Sequence, residues 1–159
     1  SSSPRSLCPP GFLLLKFAQR LRFDRGECAG LNTEFQIPSG TVSAFARAVL
    51  GSYNATPYHN MHHGFITFQS CYWAIKRSEI VDRCTTPLER LALLVAAIGH
   101  DARHDGVNNG FHVQKVTDLT MVYNDESPLE NLHACVSLHP VTSGSVSQIS
   151  GSCAMPSQS

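Results

Sequence analysis

Thr86-Pro87-Leu88-Glu89, followed by Arg90 and the run Leu91-Ala92-Leu93-Leu94-Val95-Ala96-Ala97-Ile98, is the stretch on which the fold turns. A hydroxyl residue, a proline at the first helical position and a glutamate at the third make a capping box that opens a helix. The run behind it is apolar on nearly every side, which predicts a helix in the middle of a bundle. The same box returns at Ser127-Pro128-Leu129-Glu130 and predicts a last helix ending near His139-Pro140. Upstream, Val42, Phe45, Ala46, Val49 and Leu50 recur at the spacing of one helical face within Thr41 to Tyr53, and a further helix is expected from about His63 to Lys76. No segment alternates with period two, so the chain reads as all-α.

Composition bounds the rest. A length of 159 residues allows one domain or part of one, and 12 basic against 12 acidic side chains leave it neutral. Neutrality argues against nucleic acid or an anionic membrane as partner. The apolar runs Phe12 to Leu15 and Leu91 to Ile98 are both far below the ~20 residues of a membrane span, and no leader is evident. Cys8, Cys28, Cys71, Cys84, Cys135 and Cys153 include no C-x-x-C pair, which reads as reduced thiols in a cytoplasmic protein. Residues 1–34 are expected to form a Ser/Pro-rich linker and a first helical segment, and 35–139 the folded domain. The uncharged, Ser-rich stretch 140–159 is expected to be a disordered tail.

Seven of the eight histidines fall between His59 and His133. His100-Asp101 closes the apolar helix, with His104 one turn on and Gly106 and Asn109 beyond. Imidazole and carboxylate at one helix end can turn toward one ion, and such mixed ligation suits zinc beside a harder divalent cation. Alone, the pair reads more readily as an ordinary capped helix end. About 40 residues earlier, Tyr58-His59-Asn60-Met61-His62-His63 spaces His59 and His63 at i, i+4, so that they can share a helical face. Alone, this too reads as a surface cluster. His62 is expected to be an exposed neighbour, and His112 and His139 surface or loop residues with no role. Phe68, Tyr72 and Trp73 are expected in the core, with Asn124 and Asp125 capping a turn.

The ordered combination H-N-x-x-H, H-D-x-x-H-x-G-x-x-N and Y-N-D-x-S-x-L-E-N-x-H across Tyr58 to His133 resembles the catalytic domain of the class I 3′,5′-cyclic nucleotide phosphodiesterases. That domain is an all-α metal phosphohydrolase of the HD type. The likeness covers roughly Phe35 to His133. It implies a truncated helical bundle in which His63, His100 and Asp101 ligate a tighter ion, zinc, while Asp101 also reaches a second ion, magnesium or manganese. It further implies His59 as general acid, with Tyr58, His104, Asn109, Glu130 and His133 lining or supporting the site. Two divalent ions would polarise the phosphate of a cyclic nucleotide and make hydroxide available at neutral pH. A histidine of ordinary pKa near ~6.5 can protonate the leaving 3′ oxygen.

The family's second aspartate ligand and its base-recognising glutamine lie well beyond His133, so the expectation is an N-terminal half-domain. Ile66, Asp105 and Leu132 stand where the family usually has Asp, Pro and His. Three functions follow as expectations. The first is a fragment of an enzyme hydrolysing cAMP or cGMP to the 5′-monophosphate. The second is a non-catalytic truncated or mis-spliced product with weak metal binding. The third, another HD-type phosphohydrolase, is disfavoured by the Y-N-D-x-S-x-L-E-N block. Apolar faces around Phe45 to Leu50 and Leu91 to Ile98 would be left uncovered, so self-association is expected.

Overall fold

The computed structural model describes residues 34–142. The expectations for residues 1–33 and for the tail from 143 on lie outside the described residues. Among the described residues there are seven helices and no strand: α1 (Ser39–Gly51), α2 (Met61–Arg77), α3 (Glu79–Cys84), α4 (Pro87–Gly99), α5 (Asn109–Lys115), α6 (Asp118–Tyr123) and α7 (Pro128–Thr142).

Local chemistry sets the two helix starts that matter for the site. At α4 the capping box forms as its sequence predicts: the Glu89 N–H donates to Thr86 Oγ1 (3.3 Å) and the Thr86 N–H donates to the Glu89 carboxylate (2.7 Å). The Thr86 backbone and hydroxyl donors hold the Glu89 carboxyl below its ordinary value. Thr86→Ala should lower stability by about 1 kcal/mol, the usual cost of losing a hydroxyl N-cap, measurable by urea denaturation. At α2 the cap is Asn60, extended at φ −114°, whose side chain accepts from the N–H groups of His62 and His63 (3.0 and 3.3 Å). The helix therefore begins at Met61 rather than His63 and runs to Arg77.

Phe65, Phe68, Tyr72 and Ile75 form one stripe of α2, buried against Ala46, Val49 and Leu50 of α1 and Leu94, Ala97 and Ile98 of α4. The α2–α4 contact is the most extensive between any two helices described. Val42 and Phe45, expected on the buried face of α1, are partly buried against this core. Trp73 departs from expectation: it is on the outer side of α2, 38% exposed, with the Arg77 guanidinium 4.8 Å from its ring centre.

The apolar helix α4 is not enclosed. Only α1, α2 and α7 pack closely on it among the described residues, so Ala92, Leu93 and Ala96 face outward and Leu93 stays 44% exposed. Its all-round apolar composition thus has a partner on one side alone. Two further boundaries differ from expectation. Helix α7 continues through Pro140 to Thr142, past the expected start of the tail. At its beginning Ser127 takes a left-handed φ of 43° rather than the extended conformation of a capping serine, so the second box takes another form, described below.

Gly99 decides how α7 meets the end of α4. A Cβ there would collide with the Ser137 side chain, whose hydroxyl donates to the Gly99 carbonyl (2.9 Å). This close approach sets His133 of α7 beside the residues that follow α4.

Candidate metal centre

Three segments converge: the turn before α2 with its first helical residues, the turn that follows α4, and the first half of α7. His100 is the residue capping the C-terminal end of α4, and its Nδ1–H donates to the Ala97 carbonyl (3.0 Å). The Nε2 lone pair is thereby turned outward. It lies 3.2 Å from His63 Nε2, and Asp101 Oδ2 is 3.1 Å from each of these nitrogens. Three electron-pair donors this close need a proton or a cation among them. A tetrahedral zinc with bonds of about 2.0–2.1 Å spaces its ligands roughly 3.3 Å apart, so the donor set fits such an ion.

Asp101 is shared with a second group, formed with His104 and His133, whose ligand atoms lie within 4.8 Å of one another. His133 donates through Nδ1–H to the Ala102 carbonyl (2.7 Å), and its Nε2 is 3.9 Å from Asp101 Oδ1. His104 has the opposite tautomer. Its Nδ1 accepts from the Gly106 N–H (2.9 Å), which leaves the proton on Nε2 and makes His104 a hydrogen-bond donor toward the site rather than a ligand through that atom. Burial, and then the charge of the neighbouring His59, hold the His104 imidazole below its ordinary pKa.

The i, i+4 face expected for His59 and His63 does not form, because Asn60 is the N-cap and His59 precedes the helix. His59 instead stacks on His104, ring centres 3.8 Å apart and 9° from parallel, with His63 at 5.8 Å. Tyr58 is 65% exposed, its ring 4.9 Å from His59 and 4.7 Å from His63.

Asn109 and Glu130 meet across the site's far wall. Asn109 Nδ2 donates to the Glu130 carboxylate (2.8 Å), and Asn109 Oδ1 accepts from the Leu129 N–H (3.0 Å), so α5 caps the start of α7. Together with His59, His104 and Phe111 they line a cavity of about 760 Å³. The Asn109 amide holds the Glu130 carboxyl below its ordinary value. A carboxylate so depressed stabilises the fold above its unfolded pKa, and the contribution is lost as pH falls through the folded one. Asn109→Ala should therefore flatten the loss of melting temperature on acidification through the carboxylate range, as read by calorimetry.

Several supporting residues went unread in the sequence. Asn54 Nδ2 donates to the carbonyls of Arg103 and His104 (3.2 and 3.1 Å) and closes the turn on which His104 sits, where Arg103 and Gly106 take φ of 61° and 95°. Tyr53 Oη donates to the Ile98 carbonyl (3.0 Å), and burial pushes its pKa above the ordinary value. His112, expected as a surface residue without a role, is buried: its Nε2 is 3.2 Å from Asp105 Oδ2 and its Nδ1 3.1 Å from Thr117 Oγ1. The one signal for that pair was Asp105 itself, at a position where the resemblance leads one to expect proline. His62 is half-buried rather than exposed. Asn124 and Asp125, left-handed at φ of 50° and 62°, end α6 as expected of a turn.

The model of the 3′5′-cyclic nucleotide phosphodiesterase family matches residues 58–151, more than half of the chain and beyond His133, where the likeness was expected to stop. The chain belongs to this family. It is 37% identical over 107 residues to the high affinity cGMP-specific 3′,5′-cyclic phosphodiesterase 9A of Drosophila melanogaster, covering 67% of this chain and 7% of that protein. It is 36% identical over 105 residues to the human dual specificity calcium/calmodulin-dependent 3′,5′-cyclic nucleotide phosphodiesterase 1B, covering 65% of this chain and 19% of that one. The crystal structure of the phosphodiesterase domain of the Salpingoeca rosetta rhodopsin phosphodiesterase superposes with a TM-score of 0.76 at 26% identity, over 85% of this chain and 39% of that domain's chain. The all-α bundle is thus that of a phosphodiesterase domain, and the chain spans about two fifths of it. Among the described residues no helix is long and apolar enough to cross a membrane.

Proposed function

We propose that the chain supplies the metal-binding and proton-donating part of a phosphodiesterase that hydrolyses cAMP or cGMP to the 5′-monophosphate. One observation supports this above the others: in a member of the family, His63 Nε2, His100 Nε2 and Asp101 Oδ2 stand 3.1–3.2 Å apart, the spacing of zinc ligands. In this reading His63, His100 and Asp101 would hold zinc, and Asp101 would also serve a harder ion, magnesium or manganese. When bound, the ions polarise the phosphodiester and supply hydroxide at neutral pH.

The chain's own groups do the rest. His59, packed flat on His104 at the cavity mouth, delivers a proton to the leaving 3′ oxygen. His104, its Nε2 protonated, donates to a phosphoryl oxygen, and His133 stands behind Asp101 with Nε2 3.9 Å from Oδ1. Tyr58 screens the His59 and His63 rings from one side, and the Asn109–Glu130 pair holds the cavity wall. The scattered cysteines, with no C-x-x-C pair in the sequence, favour the reducing cytoplasm as the place of action. The outward face of α4 around Leu93 is the surface through which self-association would occur.

The test is 5′-monophosphate formation from cAMP and cGMP by the 159-residue chain with zinc and magnesium supplied. Slow turnover, lost on chelation and in His59→Ala, is the expected result. Cation binding with no product would favour the second reading, a non-catalytic metal-binding product. No cation binding at all would overturn both.

A further inference from the structure

We propose that Tyr53 is a positioning residue that sets the distance between His63 and the His100–Asp101 pair by acting as a spacer between α2 and the end of α4. The inference rests on the metal-centre reading above. Tyr53 lies two residues past the end of α1, and its hydroxyl holds both sides of the α4 terminus. It donates to the Ile98 carbonyl (3.0 Å) and accepts from the Asp101 N–H (3.4 Å). The Ile98 carbonyl is one of those a helix C-terminus leaves without an intrahelical partner, and the Asp101 N–H lies just beyond the helix, so a side chain that takes both fixes how the chain leaves the helix. Asp101 is one of those groups, and His100 lies between them.

The same hydroxyl end of the phenol presses on α2. A Cβ placed on Gly64 would lie 2.5 Å from Tyr53 Oη and 2.6 Å from Cζ, closer than any side chain tolerates. Gly64 directly follows His63, so the absence of a side chain at 64 is what lets the backbone carrying His63 rest against the ring. A phenol is stiff, with two side-chain torsions and a flat body. Contact of the hydroxyl end with Gly64, and hydrogen bonds of that same hydroxyl with Ile98 and Asp101, wedge a stiff group between α2 and the end of α4 and fix the gap. The gap holds His63 Nε2 and His100 Nε2 3.2 Å apart. No resemblance in the motifs requires glycine at 64, and its use here is explained by the ring.

Cobalt(II) titration of the 159-residue chain tests this, read by the visible absorption that distinguishes tetrahedral from octahedral Co²⁺. Tyr53→Phe keeps the ring and removes both hydrogen bonds, whereas Gly64→Ala drives the helix and the ring apart. Each should weaken Co²⁺ binding by about tenfold or more, within the ~10–100-fold range for losing an outer partner of a metal site, and reduce the tetrahedral bands. Val49→Ala, a core change in α1, should lower the melting temperature of the metal-free chain without altering the spectrum, which separates positioning from mere stability. Wild-type affinity and spectrum in both Tyr53→Phe and Gly64→Ala would overturn the inference while leaving the metal reading intact. Failure of the unsubstituted chain to bind Co²⁺ would overturn the metal reading and this inference together.

Discussion

Asp101→Asn should abolish stoichiometric zinc binding by the chain. The carboxylate puts one oxygen 3.1 Å from each of two imidazole nitrogens and the other 3.9 Å from a third, so it is the anion around which three histidines are arranged. Asparagine is nearly isosteric, which keeps the turn after α4 intact. It nevertheless replaces an anionic donor with a neutral amide and one oxygen with an NH₂ that cannot ligate. A cation would then face two neutral imidazoles and no compensating charge. The loss should exceed the roughly 10–100-fold typical of removing an outer-shell partner, since a direct donor is removed. Isothermal calorimetry on chelator-stripped protein, with circular dichroism as a check on folding, measures it. Zinc affinity equal to wild type would mean that the ion binds elsewhere.

Phe68→Ala should unfold the chain under ordinary conditions. Phe68 is wholly buried at the centre of the α2 stripe, its ring 6.3 Å from that of Phe65, between the apolar faces of α1 and α4. Truncating a buried phenylalanine costs about 3–5 kcal/mol, from lost transfer energy and the cavity left behind. Domains of this size have about 5–15 kcal/mol in all. Among the described residues one face of α4 is uncovered, which places this fold toward the lower end of that range. Urea denaturation followed by helical circular dichroism should show a midpoint near zero for Phe68→Ala, with Phe68→Leu intermediate because most of the volume is retained. An unchanged midpoint would mean that the α1–α2–α4 contact is not what holds the fold.

Helices were legible wherever a local rule governs them. The Thr86 to Glu89 capping box needs only residues three apart, so α4 begins where its sequence places it. The i, i+3, i+4 spacing of Ala46, Val49 and Leu50 marks a buried face for any helix whose partner is nearby. The partner itself is not written locally. Leu93 and Ala96 are as apolar as Leu94 and Ala97, and only the arrangement of α1, α2 and α7 decides which pair is covered.

The site divides the same way. His63, His100 and Asp101 could be nominated from the sequence through the family resemblance that their ordered motifs carry, and their chemistry agrees, because ligating atoms are a property of residue type. Their 3.1–3.2 Å spacing was decided in three dimensions, as were the stacking of His59 on His104, the tautomers of His104 and His133, and the burial of His112 against Asp105. These depend on close approaches at Gly64 and Gly99, where a missing side chain on one helix admits a side chain from a segment between 11 and 38 residues distant. Sequence spacing reports which side chains share a face of one helix. It carries no measure of how near two backbones come, and that separation is what brings a set of histidines and an aspartate within reach of one another.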